Sequence, residues 1–214
     1  MSRRRIALLG GPVFFALWFV GAQVLFFASG GGVNGESVPN AAEYPEAVLS
    51  NQPAVNSGST LLVLAATSLL WFTVGLRNRI RSRDTLDLFP VLAITGVAVL
   101  LILQAGLTIG SMQIAAQAPE LSWQIRELSG ILGFESYITS LLGGFTLTAV
   151  AVNARSAVSR GFWWFTVVLA GILTLGGLLE GLGVTPAGRF SILFGLWALI
   201  AGFALQKGHA EPTD

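Results

Sequence analysis

Residues 88–109 read LFPVLAITGVAVLLILQAGLTI, twenty-two consecutive positions without a charged side chain. At 1.5 Å per helical residue such a run covers about 33 Å, enough to cross a hydrocarbon core of roughly 30 Å. Backbone N–H and C=O groups in lipid must be bonded internally, which leaves helices or closed barrels. Apolar residues here are continuous rather than alternating, and that selects the helix. Pro90 falls in the first turn, where a missing N–H costs no hydrogen bond.

Five more apolar runs flank this one, at about 6–28, 60–76, 130–152, 162–179 and 190–206. The expected fold is therefore all-α, a polytopic bundle of six transmembrane helices in one membrane domain spanning 1–214. Composition agrees: 53% of the 214 residues are hydrophobic, 11% are charged, and the mean hydropathy is +0.72. Soluble domains are about 25% charged, so water is a poor solvent for this surface. The net charge of +1 gives no excess that would attract nucleic acid.

Lys and Arg are sorted between alternate connections. Arg3, Arg4, Arg5, Arg77, Arg79, Arg81, Arg83, Arg155, Arg160 and Lys207 lie on one side, and only Arg126 and Arg189 on the other. The positive-inside rule then puts both termini in the cytoplasm. Plentiful Ala and Gly with eleven arginines to one lysine suggest a bacterial genome rich in G and C, and the expected location is a bacterial cytoplasmic membrane. The arginine cluster loosely matches an export signal. The first apolar run is about 23 residues long, beyond the 7–15 of a cleavable signal, and is read as a retained anchor. Arg77, Arg79, Arg81 and Arg83 also suit contact with anionic lipid headgroups.

Two connections carry more than a turn. Segment 29–59 is a long outer loop rich in Gly, Asn, Ser and Pro, a composition that reads as a flexible tether. Its Tyr44-to-Leu49 stretch suits a short helix on the bundle, and the alternative to a tether is a lid over an outward-facing cavity. Segment 119–128 begins with Pro119 and spaces Leu121, Ile125 and Leu128 at i, i+4 and i+7. It is expected to be an amphipathic helix at the outer interface with Trp123 among the headgroups. Gly106/Gly110, Gly177/Gly181 and Ala198/Gly202 have the small-xxx-small spacing of close helix contacts.

An offset of 76 residues superposes the second–third hairpin on the fourth–fifth, laying Arg79 on Arg155 and Gln104 on Glu180. Such repeats occur in transporters. The comparison draws attention to depth. Gln23, Gln104 and Glu180 each fall roughly 22–27 Å along a helix running outward, and Glu135 reaches a similar depth from the outer side. Thr108, Tyr137, Thr139 and Arg189 stand near the same level. Ionisable groups inside a membrane are functional candidates by default, so Glu135, Glu180, Gln104, Gln23, Thr108, Tyr137 and Arg189 form the candidate polar pocket. Glu180 paired with Arg189 is the structural alternative.

Much chemistry is absent. His209, the single histidine, falls in the tail expected on the cytoplasmic side, and there is no cysteine, which excludes bis-His haem, Cys-ligated metal and a Ser-His-Asp triad. No H-E-x-x-H or phosphate-loop motif occurs. No cofactor and no catalytic role are expected. The expected function is binding: an accessory protein whose outward pocket takes a lipid or small amphiphile. A small secondary transporter using Glu135 and Glu180 is the alternative. Its partners would be membrane lipids, together with a small amphiphilic ligand or another membrane protein.

Overall fold

The computed structural model describes residues 3–30, 42–80, 88–132, 137–155, 158–184 and 191–207, and among these every regular element is a helix. In chain order they are α1 (Arg3–Leu8), α2 (Gly10–Ala28), α3 (Tyr44–Ser50), α4 (Gln52–Ile80) and α5 (Leu88–Ile114), followed by α6 (Pro119–Leu132), α7 (Tyr137–Ala154), α8 (Arg160–Gly181) and α9 (Ser191–Lys207). Five stretches are long and apolar enough to cross a membrane: Ile6–Ala28, Gln52–Asn78, Phe89–Ile114, Tyr137–Ala154 and Arg160–Gly181. The chain is an all-helical, multi-pass membrane protein. The sixth apolar helix, Ile192–Gln206, is shorter than these five.

Helices α2 and α9 run antiparallel and meet through residues too small to hold them apart. A Cβ added at Gly11 would overlap the carbonyl of Ala198, and one at Gly202 would strike Pro12 and the Leu8 carbonyl. The same device joins α2 to α4, where Gly21 and Gly58 face each other, and α7 to α8, where Gly144 meets Thr174 and Gly177 meets Leu141. Close backbone approach is how helices associate in lipid, which offers no hydrophobic drive of its own. Of the small-xxx-small pairs, Ala198/Gly202 and Gly177 make such contacts. Gly106 and Gly110 do not: a Cβ at either meets nothing within 4 Å.

Around these crossings lies the apolar core. Trp197 is fully buried, its ring 6.1 Å from Phe194 and 5.9 Å from Phe72. Its indole N–H donates to Thr166 Oγ1 at 3.1 Å, so burial leaves no polar atom unsatisfied there. Trp18 is buried beside Phe14. Trp71 and Trp164 stay exposed, as residues of an interfacial belt do.

Structure departs from sequence expectation in the long connection. Residues 52–59 are helical, so α4 starts at Gln52 and runs for 29 residues, against the shorter span at 60–76. Immediately before it, α3 is anchored by three buried residues, Tyr44, Pro45 and Val48. Residues 42–59 are therefore ordered against the bundle rather than forming a tether, while 31–41 lie outside the described residues.

Candidate functional site

At the end of the bundle where α2 stops and α4 starts, five helices surround a cavity of about 200 Å³. One wall is apolar: Ala22, Leu25 and Phe26 of α2, Val48 of α3 and Val55 of α4. The other is polar: Gln104 and Thr108 of α5 face Arg126 and Ser129 of α6, with Ser29 and Tyr44 beside them. Thr108 lies twenty residues beyond Leu88, or about 30 Å along α5 at 1.5 Å per residue. The polar wall thus sits near the far boundary of a ~30 Å hydrocarbon core.

Helix α6 builds this wall by turning its polar stripe inward. Ser122, Arg126 and Ser129 follow the same i, i+4, i+7 spacing as Leu121, Ile125 and Leu128, on a different face. Ser122 and Ser129 are buried, whereas Leu121 is 49% and Leu128 45% exposed. Such an inside-out helix would waste its apolar stripe in water and suits lipid on its outer side. It also descends along α5 instead of lying flat. Ser122 pairs with Ser111 and Ser129 with Gln104, so the two helices run antiparallel over seven residues each.

Hydroxyl groups make this seam. Ser122 Oγ donates to the Ser111 carbonyl at 2.7 Å. Thr108 Oγ1 donates to the Gln104 carbonyl at 2.8 Å and lies 3.1 Å from Ser129 Oγ. Ser129 Oγ also lies 3.3 Å from the Gln104 carbonyl.

Tyr44 closes the cavity from α3. Its hydroxyl is 2.7 Å from Ser111 Oγ. Ser111 Oγ is also 2.8 Å from the Thr108 carbonyl. Burial pushes the Tyr44 hydroxyl above the ordinary 10.0 of tyrosine, against the opposing pulls of the Ser111 hydrogen bond and the Arg126 charge. The ring packs edge-on against Trp123 at 5.8 Å, and the Arg126 guanidinium lies 5.4 Å from the centre of the Trp123 ring. Arg126 also meets Glu127 at 3.1 Å, but Glu127 is half exposed. Pairs of that kind contribute about 0–1 kcal/mol, so an anion in the cavity can compete with Glu127 for the guanidinium.

Of the sequence candidates, the structure brings Gln104 and Thr108 to one cavity. Gln23 is exposed on α2 and lines none of it. Glu180 lies elsewhere, buried between α7 and α8, where it accepts a hydrogen bond from Ser140 at 3.0 Å. Tyr137 is 40% exposed and neighbours Gly181, one residue from Glu180. Glu135 and Arg189 lie outside the described residues, as do Arg81 and Arg83. Arg77 is exposed at the far end of α4. Among the described residues, no three His, Cys, Asp or Glu side chains cluster as metal ligands do.

Tyr44, Arg126 and Ser129 are the cavity residues that sequence reasoning passed over. The signal for the last two was present in the polar stripe of α6, beside the apolar one. Tyr44 begins the short helix expected at 44–49, whose place against α5 and α6 the sequence does not show. No family model, curated protein or solved structure matches the chain, so the chemistry of the cavity carries the functional reading.

Proposed function

We propose that this chain is a non-enzymatic binding or accessory protein of a bacterial cytoplasmic membrane, taking the polar end of a small amphiphile into an outward-facing pocket. In this reading Ile192–Gln206 is a sixth span, and both termini are cytoplasmic, in line with the sorting of Lys and Arg. The observation that carries the proposal is the split cavity between α2 and α6, apolar on one wall and bearing Arg126, Gln104 and Thr108 on the other. At roughly 30 Å³ per water, about 200 Å³ holds some seven waters' worth of ligand. That is the size of a headgroup, with the chain left to the lipid. The half-buried Arg126 favours an anionic head.

Native mass spectrometry of delipidated protein with monododecyl phosphate tests this. Wild type should bind one copy in preference to dodecanol. Arg126→Gln should weaken the phosphate 10- to 100-fold, the effect of a charge-assisted hydrogen bond of about 1.5–3 kcal/mol. Equal binding by wild type and Arg126→Gln would remove the cavity from consideration.

The buried carboxylate Glu180 favours a second reading, a small secondary transporter coupled through Glu180 and Glu135. Under it, Glu180→Gln abolishes pH-driven uptake into proteoliposomes while leaving occupancy of the α2–α6 cavity unchanged. Uptake that survives the substitution rejects coupling through this residue.

A further inference from the structure

The end of the bundle opposite the cavity carries a second concavity, an open groove of about 650 Å³ between α7 and α8. Its mouth is Arg155, just past the end of α7, with Trp163 of α8 beneath it. The guanidinium lies 5.4 Å from the centre of the Trp163 ring, and the indole N–H donates to the Ala151 carbonyl at 2.8 Å. The aromatic platform is therefore fixed in place from below. Beyond the mouth the walls are apolar, formed chiefly by Val152, Val167 and Leu175, with Val152 and Leu175 each 65% exposed. Gly171 opens one side, since a Cβ there would meet nothing within 4 Å.

We propose that this groove is a specific site for one anionic glycerophospholipid, its phosphate against Arg155 and one acyl chain between α7 and α8. Length supports a chain. From Trp163 to Leu175 the groove runs twelve helical residues, about 18 Å, against roughly 15 Å for one leaflet's half of the hydrocarbon core. Charge supports the phosphate. Arg155 is exposed, and among the described residues no carboxylate lies within ion-pair distance of it. A second copy of this chain fits the mouth less well. In the same membrane orientation it would bring its own Arg77, Arg155 and Arg160 to that level, like charge against like. The site is separate from the α2–α6 cavity and does not depend on the function proposed for it.

The experiment reconstitutes the full chain in nanodiscs holding equal palmitoyl-oleoyl phosphatidylglycerol and phosphatidylcholine, then reads retained lipid and oligomeric mass by native mass spectrometry. Wild type should retain one phosphatidylglycerol about fivefold over phosphatidylcholine, the preference expected of one interfacial arginine. Arg155→Gln should bring that ratio to about one. Gly171→Leu, whose Cβ meets nothing within 4 Å and whose side chain would take up groove space, should lose both lipids. Both variants should keep the wild-type Tm, because Arg155 and Gly171 are exposed. Arg126→Gln, at the other cavity, should leave the ratio unchanged. Wild-type retention of both lipids equally, an unaltered ratio in Arg155→Gln, or a dimer lost on Gly171→Leu would each overturn the proposal.

Discussion

Two helix seams in this protein solve the same problem by opposite means. Between α2 and α9 the backbones touch, with Gly11 against Ala198 and Gly202 against Pro12. Between α5 and α6 contact is made by hydroxyls, Ser122 to the Ser111 carbonyl and Ser129 to Thr108 and Gln104. There the glycines of α5, Gly106 and Gly110, face open space. Helices in lipid associate through packing or through interhelical hydrogen bonds. Packing removes every void. Short serine hydroxyls hold α6 against α5, and the polar cavity opens beside that seam, toward α2, α3 and α4. One seam gives the bundle its rigidity, and the other gives it a place for a ligand.

The contrast is most exposed to attack at Gly11. Gly11→Val should destabilise the fold by about 3 kcal/mol, since the new side chain must part α2 from α9 against the Ala198 backbone. Reversible unfolding in mixed micelles would measure it, and a loss below about 0.5 kcal/mol would mean the seam is not close-packed. On the other seam, the double substitution Ser122→Ala with Ser129→Ala should cost only about 1 kcal/mol, at roughly 0.6 per interhelical hydrogen bond. Its larger effect should be greater proteolytic access to α6.

Tyr44→Phe removes one buried hydrogen bond, about 1 kcal/mol, and should loosen α3 without unfolding the bundle. Burial of the same hydroxyl sets a pH dependence. The folded-state pKa of Tyr44 is raised, so its contribution is complete below pH 10.0 and is lost as pH climbs through the higher folded value. Amide exchange in residues 42–50 should therefore accelerate above pH 10 in wild type beyond its ordinary base catalysis, and Tyr44→Phe should lack that extra rise. Smallest of all, Gly110→Ala should be neutral or stabilising by about 0.5 kcal/mol, because the helix gains from losing a glycine and nothing stands in the way. A destabilised Gly110→Ala would show that α5 is packed where the structure leaves it open.

How far the site was legible follows from what each signal measures. Gln104 and Thr108 were found because depth along an apolar helix can be counted from the sequence at 1.5 Å per residue. The same count selected Gln23, which is exposed, and Glu180, which faces Ser140 of α7. Depth does not give azimuth. Arg126 and Ser129 were passed over because 119–128 was expected to lie flat at the interface with its polar face toward water, whereas α6 runs along α5 and turns that face inward. Tyr44 stood at the head of the short helix expected at 44–49, but the sequence does not show what receives such a helix. Here Ser111, 67 residues away, does so.

Composition and the unbroken apolar runs were enough by themselves to determine helices in a membrane, because the cost of unbonded backbone in lipid leaves few alternatives. The sorting of charge along the chain likewise needs no tertiary information. What tertiary structure alone decided is which helices touch and by which face. Gly11 and Gly110 are the same residue in similarly apolar helices, yet one meets a neighbouring backbone and the other meets nothing. Hydropathy measures preference for lipid over water and is blind to the choice between lipid and another helix. That choice rests on shape and on a few hydroxyl groups, and it is where the cavity arises.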